Sequence, residues 1–161
     1  MRYNIGDILP NLSVIDSQNQ TITLDQQMGE HGLMMIVLRG TWCPFCVGQI
    51  HTMRRRHSIY SKMGVNTLFV VPENHTSVWS FVISSLEPLP FVLHADEQRT
   101  LTDDLVCIPD KPKVTQPLGV YVLNHERQVV WRFVGMDEDF PTHNRLEQVL
   151  RESLALATYN H

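Results

Sequence analysis

The chain has 161 residues, of which 43% are hydrophobic and 19% charged, a balance that fits one globular unit and excludes disordered or low-complexity chains. Thirteen basic against seventeen acidic residues leave a formal net charge of -4, which gives no long-range electrostatic basis for binding nucleic acid or anionic lipid. No stretch approaches the roughly 20 apolar residues of a membrane span, and the opening segment lacks the basic, apolar and cleavage regions of a secretory leader, so cytoplasmic residence is the expectation.

In chain order, residues 12–15 and 21–24 flank a polar stretch at 16–20 and read as two short strands joined by a turn, a hairpin suited to covering one end of a larger sheet. Residues 33–38, Leu-Met-Met-Ile-Val-Leu, are continuously apolar, as expected of a strand buried on both faces. Gly40 and Thr41 punctuate that run, and Pro44 suits the first turn of a helix, where its missing N–H is not needed. The spacing predicts a helix over 44–62, with Val47, Ile50, Met53, Ile59, Tyr60 and Met63 on its apolar side and Arg54, Arg55 and Arg56 toward water. A second buried strand is expected over 65–71, a shorter helix over 76–84, a strand over 90–94 and one or two helical turns over 101–106. Pro109, Pro112 and Pro117 make the next segment a loop. Strands at 119–123 and 128–133 are separated by Asn124-His125-Glu126-Arg127, an antiparallel hairpin pattern, and a final amphipathic helix covers 141–158. This order predicts a mixed sheet covered by helices on both faces, a three-layer α/β sandwich.

Three cysteines cannot all pair within one chain, and only Cys43 and Cys46 are neighbours, in Cys43-Pro44-Phe45-Cys46. Two cysteines three positions apart at a helix start bring their sulfurs to one turn and permit a disulfide. The exposed N–H groups and positive end of the helix favour a thiolate at Cys43, which can attack a disulfide sulfur or a peroxide oxygen, while Cys46 resolves the product. Zinc is the competing use of this spacing. Its remaining ligands would have to come from Cys107, His51 or His57, and neither a second Cys-x-x-Cys nor a zinc-finger interval is present. The eight histidines show no compact ligand or acid–base spacing, and no phosphate-binding glycine loop or H-E-x-x-H pattern occurs. No metal and no cofactor are therefore expected. The partner required is an electron donor or acceptor, such as a thioredoxin-like protein, glutathione or another dithiol protein. The oligomeric state is left open.

Arg39, four residues before Cys43, is a candidate to stabilise the thiolate, set against a solvated residue at a strand end. Trp42 reads as a partly exposed contact beside the redox pair, and Phe45 as packing under the first turn. Arg54-Arg55-Arg56 is a solvated helix face more readily than a partner surface. Cys107, in the apolar Leu105-Val106-Cys107-Ile108, reads as a buried cysteine.

Gly6-Asp7-x-x-Pro10, the strand Ile36-Val37-Leu38, and Arg39-Gly40-Thr41-Trp42-Cys43-Pro44-Phe45-Cys46 resemble the alkyl hydroperoxide reductase/thiol-specific antioxidant group, the redoxins, within the thioredoxin-like superfamily. The resemblance continues through residues 119–124 and 129–131. It implies a thioredoxin-like three-layer sandwich with a central mixed β-sheet and an added N-terminal β-hairpin, forming one domain over residues 1–161. Two alignments then give different chemistry. The thioredoxin-like alignment makes Cys43 the nucleophile and Cys46 the resolving thiol, with Arg39, Thr41, Trp42 and Pro44 as active-site support and Pro117 close to the position of the family's proline. The peroxiredoxin-like alignment places Cys46, followed by Val47-Gly48-Gln49-Ile50, at the peroxide-reactive position and Cys43 where a threonine is usual. That alignment also puts Leu118 where an arginine is usual and makes Cys107 a candidate second resolver. The first alignment, a thiol-disulfide oxidoreductase, is the leading expectation. A peroxiredoxin-like thiol peroxidase reducing hydrogen peroxide or organic hydroperoxides, with Cys46 as its peroxidatic residue, is the alternative, and a non-catalytic binding module on the same fold is a second.

Overall fold

The computed structural model describes residues 2–107 and 116–156. Strands β1 (Ser13–Ile15) and β2 (Thr21–Thr23) pair antiparallel as the expected hairpin. The second strand stops one residue early, because Thr23 caps a short helix α1 (Leu24–Gln27) through a reciprocal exchange with Gln26. Leu24 is thus the first residue of a helix, not the last of a strand.

A five-stranded sheet forms the centre in the order β5-β4-β3-β6-β7. Its middle strand β3 (Gly32–Val37) is buried throughout, as its continuous apolar sequence requires. It pairs parallel with β4 (Val65–Val71) and antiparallel with β6 (Leu118–Asn124). The edges are β5 (Val92–Ala95), parallel to β4, and β7 (Val129–Gly135), antiparallel to β6. The helices are α2 (Pro44–Lys62), α3 (His75–Ile83), α4 (Thr100–Val106) and α5 (His143–Ser153). A single 3-10 turn at Asp137–Asp139 was not foreseen. The proline loop expected between 109 and 113, and the last residues of the helix expected to reach 158, lie outside the described residues. The described part of that last helix ends at Ser153, with Leu154 as its C-cap.

Alternation along β3 divides the core into two. Met34 and Ile36, with Leu38 beyond the strand, face Cys43, Cys46, Ile50, Met53 and Tyr60 around α2, and Leu146, Val149 and Leu150 of α5. Leu33, Met35 and Val37 face Leu9, Val14 and Leu24 of the N-terminal segment and Leu101, Leu105 and Val106 of α4. The sheet is therefore covered on both faces, the thioredoxin-like arrangement. On α2, the expected apolar residue Ile59 is exposed, its place in the core being filled by Tyr60, whose hydroxyl lies 2.8 Å from His143 Nδ1. The arginine run is also less solvated than its sequence implies: Arg54 pairs with Glu87 at 3.7 Å and Arg56 with Glu147 at 3.3 Å.

The N-terminal hairpin is tied to the sheet by His94 on β5, whose Nδ1 accepts the Ile15 N–H at 2.9 Å. Burial lowers the His94 pKa, and the nearby Asp96 only partly opposes this. An acceptor nitrogen must also be unprotonated. The stabilisation from a neutral His94 is complete above the ordinary histidine value of about 6.5 and is lost as pH falls through the lower folded value. Denaturant titrations are expected to give lower stability at pH 5 than at pH 7.5. His94→Asn, whose amide oxygen takes the place of Nδ1 and accepts from Ile15, is expected to flatten that slope. His143, whose pKa burial also lowers, leaves a residual slope of the same sign.

Candidate active site

Strand β3 delivers the chain to Leu38, and the four residues Arg39 to Trp42 turn it into α2. Cys43 is the N-cap of that helix, with extended backbone, and Pro44 occupies its first turn. The Cys43 sulfur accepts the Cys46 N–H at 3.4 Å, filling the role that a serine or aspartate oxygen plays at other helix starts. The approach loop is clamped from the next strand. Glu73, two residues beyond β4, receives both the backbone N–H of Thr41 and its hydroxyl, the latter at 2.9 Å. Gly40 lets both side chains close in, because a Cβ at this position would lie 2.3 Å from Trp42 Nε1 and 2.6 Å from Glu73 Oε1 and would push them aside. The indole of Trp42, otherwise 70% exposed, forms the rim of the site.

The two sulfurs have unlike surroundings. Cys46 is fully buried and accepts the Arg39 backbone N–H at 3.4 Å and a backbone hydrogen bond from Gly40. Its pKa is pushed up to about 11, first by burial and then by the hydrogen bond and charge of Cys43. Cys43 retains 5% exposure. Burial pushes its pKa up as well, but the hydrogen bonds from the Cys46 thiol and N–H and from Arg39, with the charge of that guanidinium, outweigh it and leave the pKa below the ordinary thiol value. At neutral pH the pair thus divides into a thiolate-prone Cys43 and a protonated Cys46.

Arg39 is not a solvated strand end. Its side chain is 9% exposed and lies 2.5 Å from the Asp137 carboxylate through Nη2. Its Nε donates to the Gln116 carbonyl at 2.8 Å, and its Nη1 lies 3.9 Å from the Cys43 sulfur. Burial works against its charge, but Asp137 and Cys43 more than restore it, and its pKa is raised.

Of the residues singled out from sequence, Arg39, Thr41, Trp42, Cys43, Pro44 and Cys46 come together at the start of α2. Phe45 packs edge-to-face on Phe140, ring centroids 5.7 Å apart. Among the described residues of the loop before β6, Gln116 reaches the site. It accepts from Arg39 through its carbonyl and donates from its side-chain amide to the Leu38 carbonyl at 3.1 Å. Pro117, next to it, is preceded by a trans peptide. Cys107 caps the C-terminus of α4, which packs on the other face of the sheet from α2. Glu73, Gln116 and Asp137 were missed in the sequence. Each lies more than 25 residues from the motif and carries no local pattern of its own. Among the described residues, no three histidine, cysteine or acidic side chains cluster as a metal site, and no helix is long and apolar enough to cross a membrane.

The sequence model of the AhpC/TSA family matches residues 5–132. No curated protein matches by sequence. Among solved structures, peroxidoxin BcpB from Mycobacterium tuberculosis superposes with a TM-score of 0.77 at 12% identity, over 97% of this chain and 99% of that one. A cysteine-to-serine mutant of PrxQ from Xylella fastidiosa gives 0.76 at 17% identity, over 96% and 98%. A peroxiredoxin Q mutant from Xanthomonas campestris gives 0.71 at 19% identity, over 94% and 99%. At these identities the structural likeness speaks for the fold.

Replacing Arg39 by Met removes the cation beside Cys43 while keeping an apolar stem in the same space. Alkylation of Cys43 by iodoacetamide at pH 7 is expected to slow roughly tenfold, read by mass spectrometry of the labelled peptide. An unchanged rate would mean that the helix terminus alone sets the thiolate.

Proposed function

Because the chain belongs to the AhpC/TSA family, we propose that it is a thiol peroxidase that reduces hydrogen peroxide or an organic hydroperoxide at the Cys43–Cys46 pair, with Cys43 as the attacking thiolate. Family membership favours peroxide reduction over the general dithiol exchange that was the leading expectation from the Cys-x-x-Cys spacing. The observation that carries the assignment of roles is the asymmetry of the two sulfurs: one partly accessible, beside a guanidinium and lowered in pKa, the other fully buried and raised to about 11.

The cycle balances as follows. The Cys43 thiolate attacks one peroxide oxygen, the O–O bond breaks, and the departing hydroxide or alkoxide takes a proton from solvent and leaves as water or alcohol. Cys43 is then a sulfenic acid. Arg39 stabilises first the thiolate and then the negative charge growing on the leaving oxygen. The Cys46 sulfur next attacks the sulfenic sulfur, expelling water and forming the Cys43–Cys46 disulfide. Part of what holds Cys46 protonated is the negative charge of its neighbour. That part vanishes once Cys43 is a neutral sulfenic acid, so oxidation of the first thiol makes the second easier to ionise. An external thiol donor, a thioredoxin-like protein or glutathione, returns the disulfide to two thiols through a mixed disulfide.

A second reading rests on Cys46-Val47-Gly48-Gln49-Ile50, which resembles the segment after the peroxide-reactive cysteine of peroxiredoxins and makes Cys46 the first residue oxidised. Cys43→Ser and Cys46→Ser, each treated with hydrogen peroxide and with an organic hydroperoxide alongside a dithiol donor, separate the two. The expected result is that Cys46→Ser accumulates a sulfenic acid on Cys43, whereas Cys43→Ser loses peroxide consumption. A sulfenic acid formed on Cys46 at near wild-type rate in Cys43→Ser would establish the second reading. Reduction of disulfide substrates by the wild-type protein with no peroxide consumed would return the protein to general thiol exchange.

A further inference from the structure

The guanidinium of Arg39 uses all three of its nitrogens, and they are unequal. Nε donates to the Gln116 carbonyl at 2.8 Å, Nη2 makes an ion pair with the Asp137 carboxylate at 2.5 Å, and Nη1 stands 3.9 Å from the Cys43 sulfur. The contact that matters for the thiolate is the longest of the three, so the sulfur alone does not place this planar group. Two anchors fix the plane, and the third nitrogen is carried to the sulfur as a consequence.

We propose that Asp137 is a positioning residue for the Cys43 thiolate, acting through Arg39: its carboxylate holds the guanidinium in the one orientation that leaves Nη1 facing the sulfur. The inference rests on Cys43 being the attacking thiolate. The carrier of the carboxylate is itself fixed to the site. Asp137 opens the 3-10 turn Asp137–Asp139. The next residue, Phe140, packs edge-to-face on Phe45 between the two cysteines, at 5.7 Å and 77°, and on Phe133 of β7, at 5.8 Å and 86°. The turn is thereby coupled to the same helical turn that presents Cys43.

The sign of the effect is diagnostic, because a carboxylate near a thiolate does two opposite things. As a bare negative charge it disfavours the thiolate; as an anchor for Arg39 it favours it. Among the described residues, the ionisable groups around Cys43 are Arg39 from the end of β3, Cys46 from α2, Glu73 from beyond β4, whose carboxylate is taken by Thr41, and Asp137 from beyond β7. Glu138 and Asp139, on the same turn as Asp137, are exposed. Among these groups, Asp137 is the one joined to Cys43 through a shared cation.

The test is site-resolved iodoacetamide labelling of Cys43 against pH in the full-length protein, for Asp137→Ala, Asp137→Asn and the double variant Asp137→Ala with Arg39→Met. Asp137→Ala is expected to move the Cys43 curve to higher pH, with labelling at pH 7 slowed roughly 3- to 10-fold. Asp137→Asn, whose amide oxygen still accepts from a guanidinium, is expected to stay within about threefold of the wild type. The double variant is expected to be no slower than Arg39→Met alone, since Asp137 acts only through Arg39. If Asp137→Ala folds poorly, as judged by its melting curve, the Asp137→Asn result carries the test. A Cys43 curve unmoved or shifted to lower pH in Asp137→Ala, an Asp137→Asn labelling rate as slow as that of Arg39→Met, or additive slowing in the double variant would each overturn the proposal. A wild-type protein in which Cys43 is not the more reactive sulfur at pH 7 would instead remove the assignment of Cys43 as the attacking thiolate, on which the proposal rests.

Discussion

The first turn of α2 must satisfy backbone N–H groups that no preceding helical carbonyl can reach, and the Cys43 sulfur is what fills that need. This single constraint makes two chemically identical side chains different. The sulfur that caps the helix gains donors and the positive end of the helix dipole. The sulfur three residues on is carried into the core against β3, where its charge is unwelcome. The rest of the site serves this arrangement. Glu73 holds the loop that enters the cap, Gly40 leaves room for the clamp and the indole, and Phe140 packs on Phe45 in the first turn of α2.

The electrostatics also show how this chain departs from the pattern of the family it belongs to. The peroxiredoxin alignment puts an arginine at the start of the strand that is β6 here, where this chain has Leu118, a fully buried residue. The cation comes instead from the end of β3. Arg39 reaches across to the segment just before β6, anchors on the Gln116 carbonyl and points its remaining nitrogen at Cys43. A guanidinium is thus supplied from a different strand, and it faces the cysteine that stands where a threonine is usual. A charge brought in along β3 lies beside the cap residue, and that is Cys43.

Much of the scaffold was legible because its signals are local. The apolar run at 33–38, Pro44 at a helix start and the Asn124-to-Arg127 turn between two β-rich runs each carry their own period or punctuation, and the structure places β3, α2 and the β6–β7 hairpin there. Elements held together by a few hydrogen bonds were less visible. The helix at Leu24–Gln27 depends on one capping exchange, and the 3-10 turn at Asp137–Asp139 has three acidic residues and no periodicity. In the site, the cysteine pair and Arg39 could be read from spacing. Glu73, Gln116 and Asp137 could not, because their roles exist only once β4, β6 and β7 are assembled around β3 in one sheet. The exposure of Ile59 was hidden for a related reason: helical spacing nominates both Ile59 and its neighbour for the core, and contact with His143 gives the place to Tyr60.

The central claim is that the fold makes Cys43 and Cys46 ionise far apart and in a fixed order. It is tested most directly by following the alkylation of both sulfurs in the same sample of reduced wild-type protein across pH 4 to 12, with each modified peptide quantified separately. The account predicts a Cys43 curve lying below that of an ordinary thiol and a Cys46 curve that rises only near pH 11. Coincident curves, or Cys46 labelled first, would contradict it.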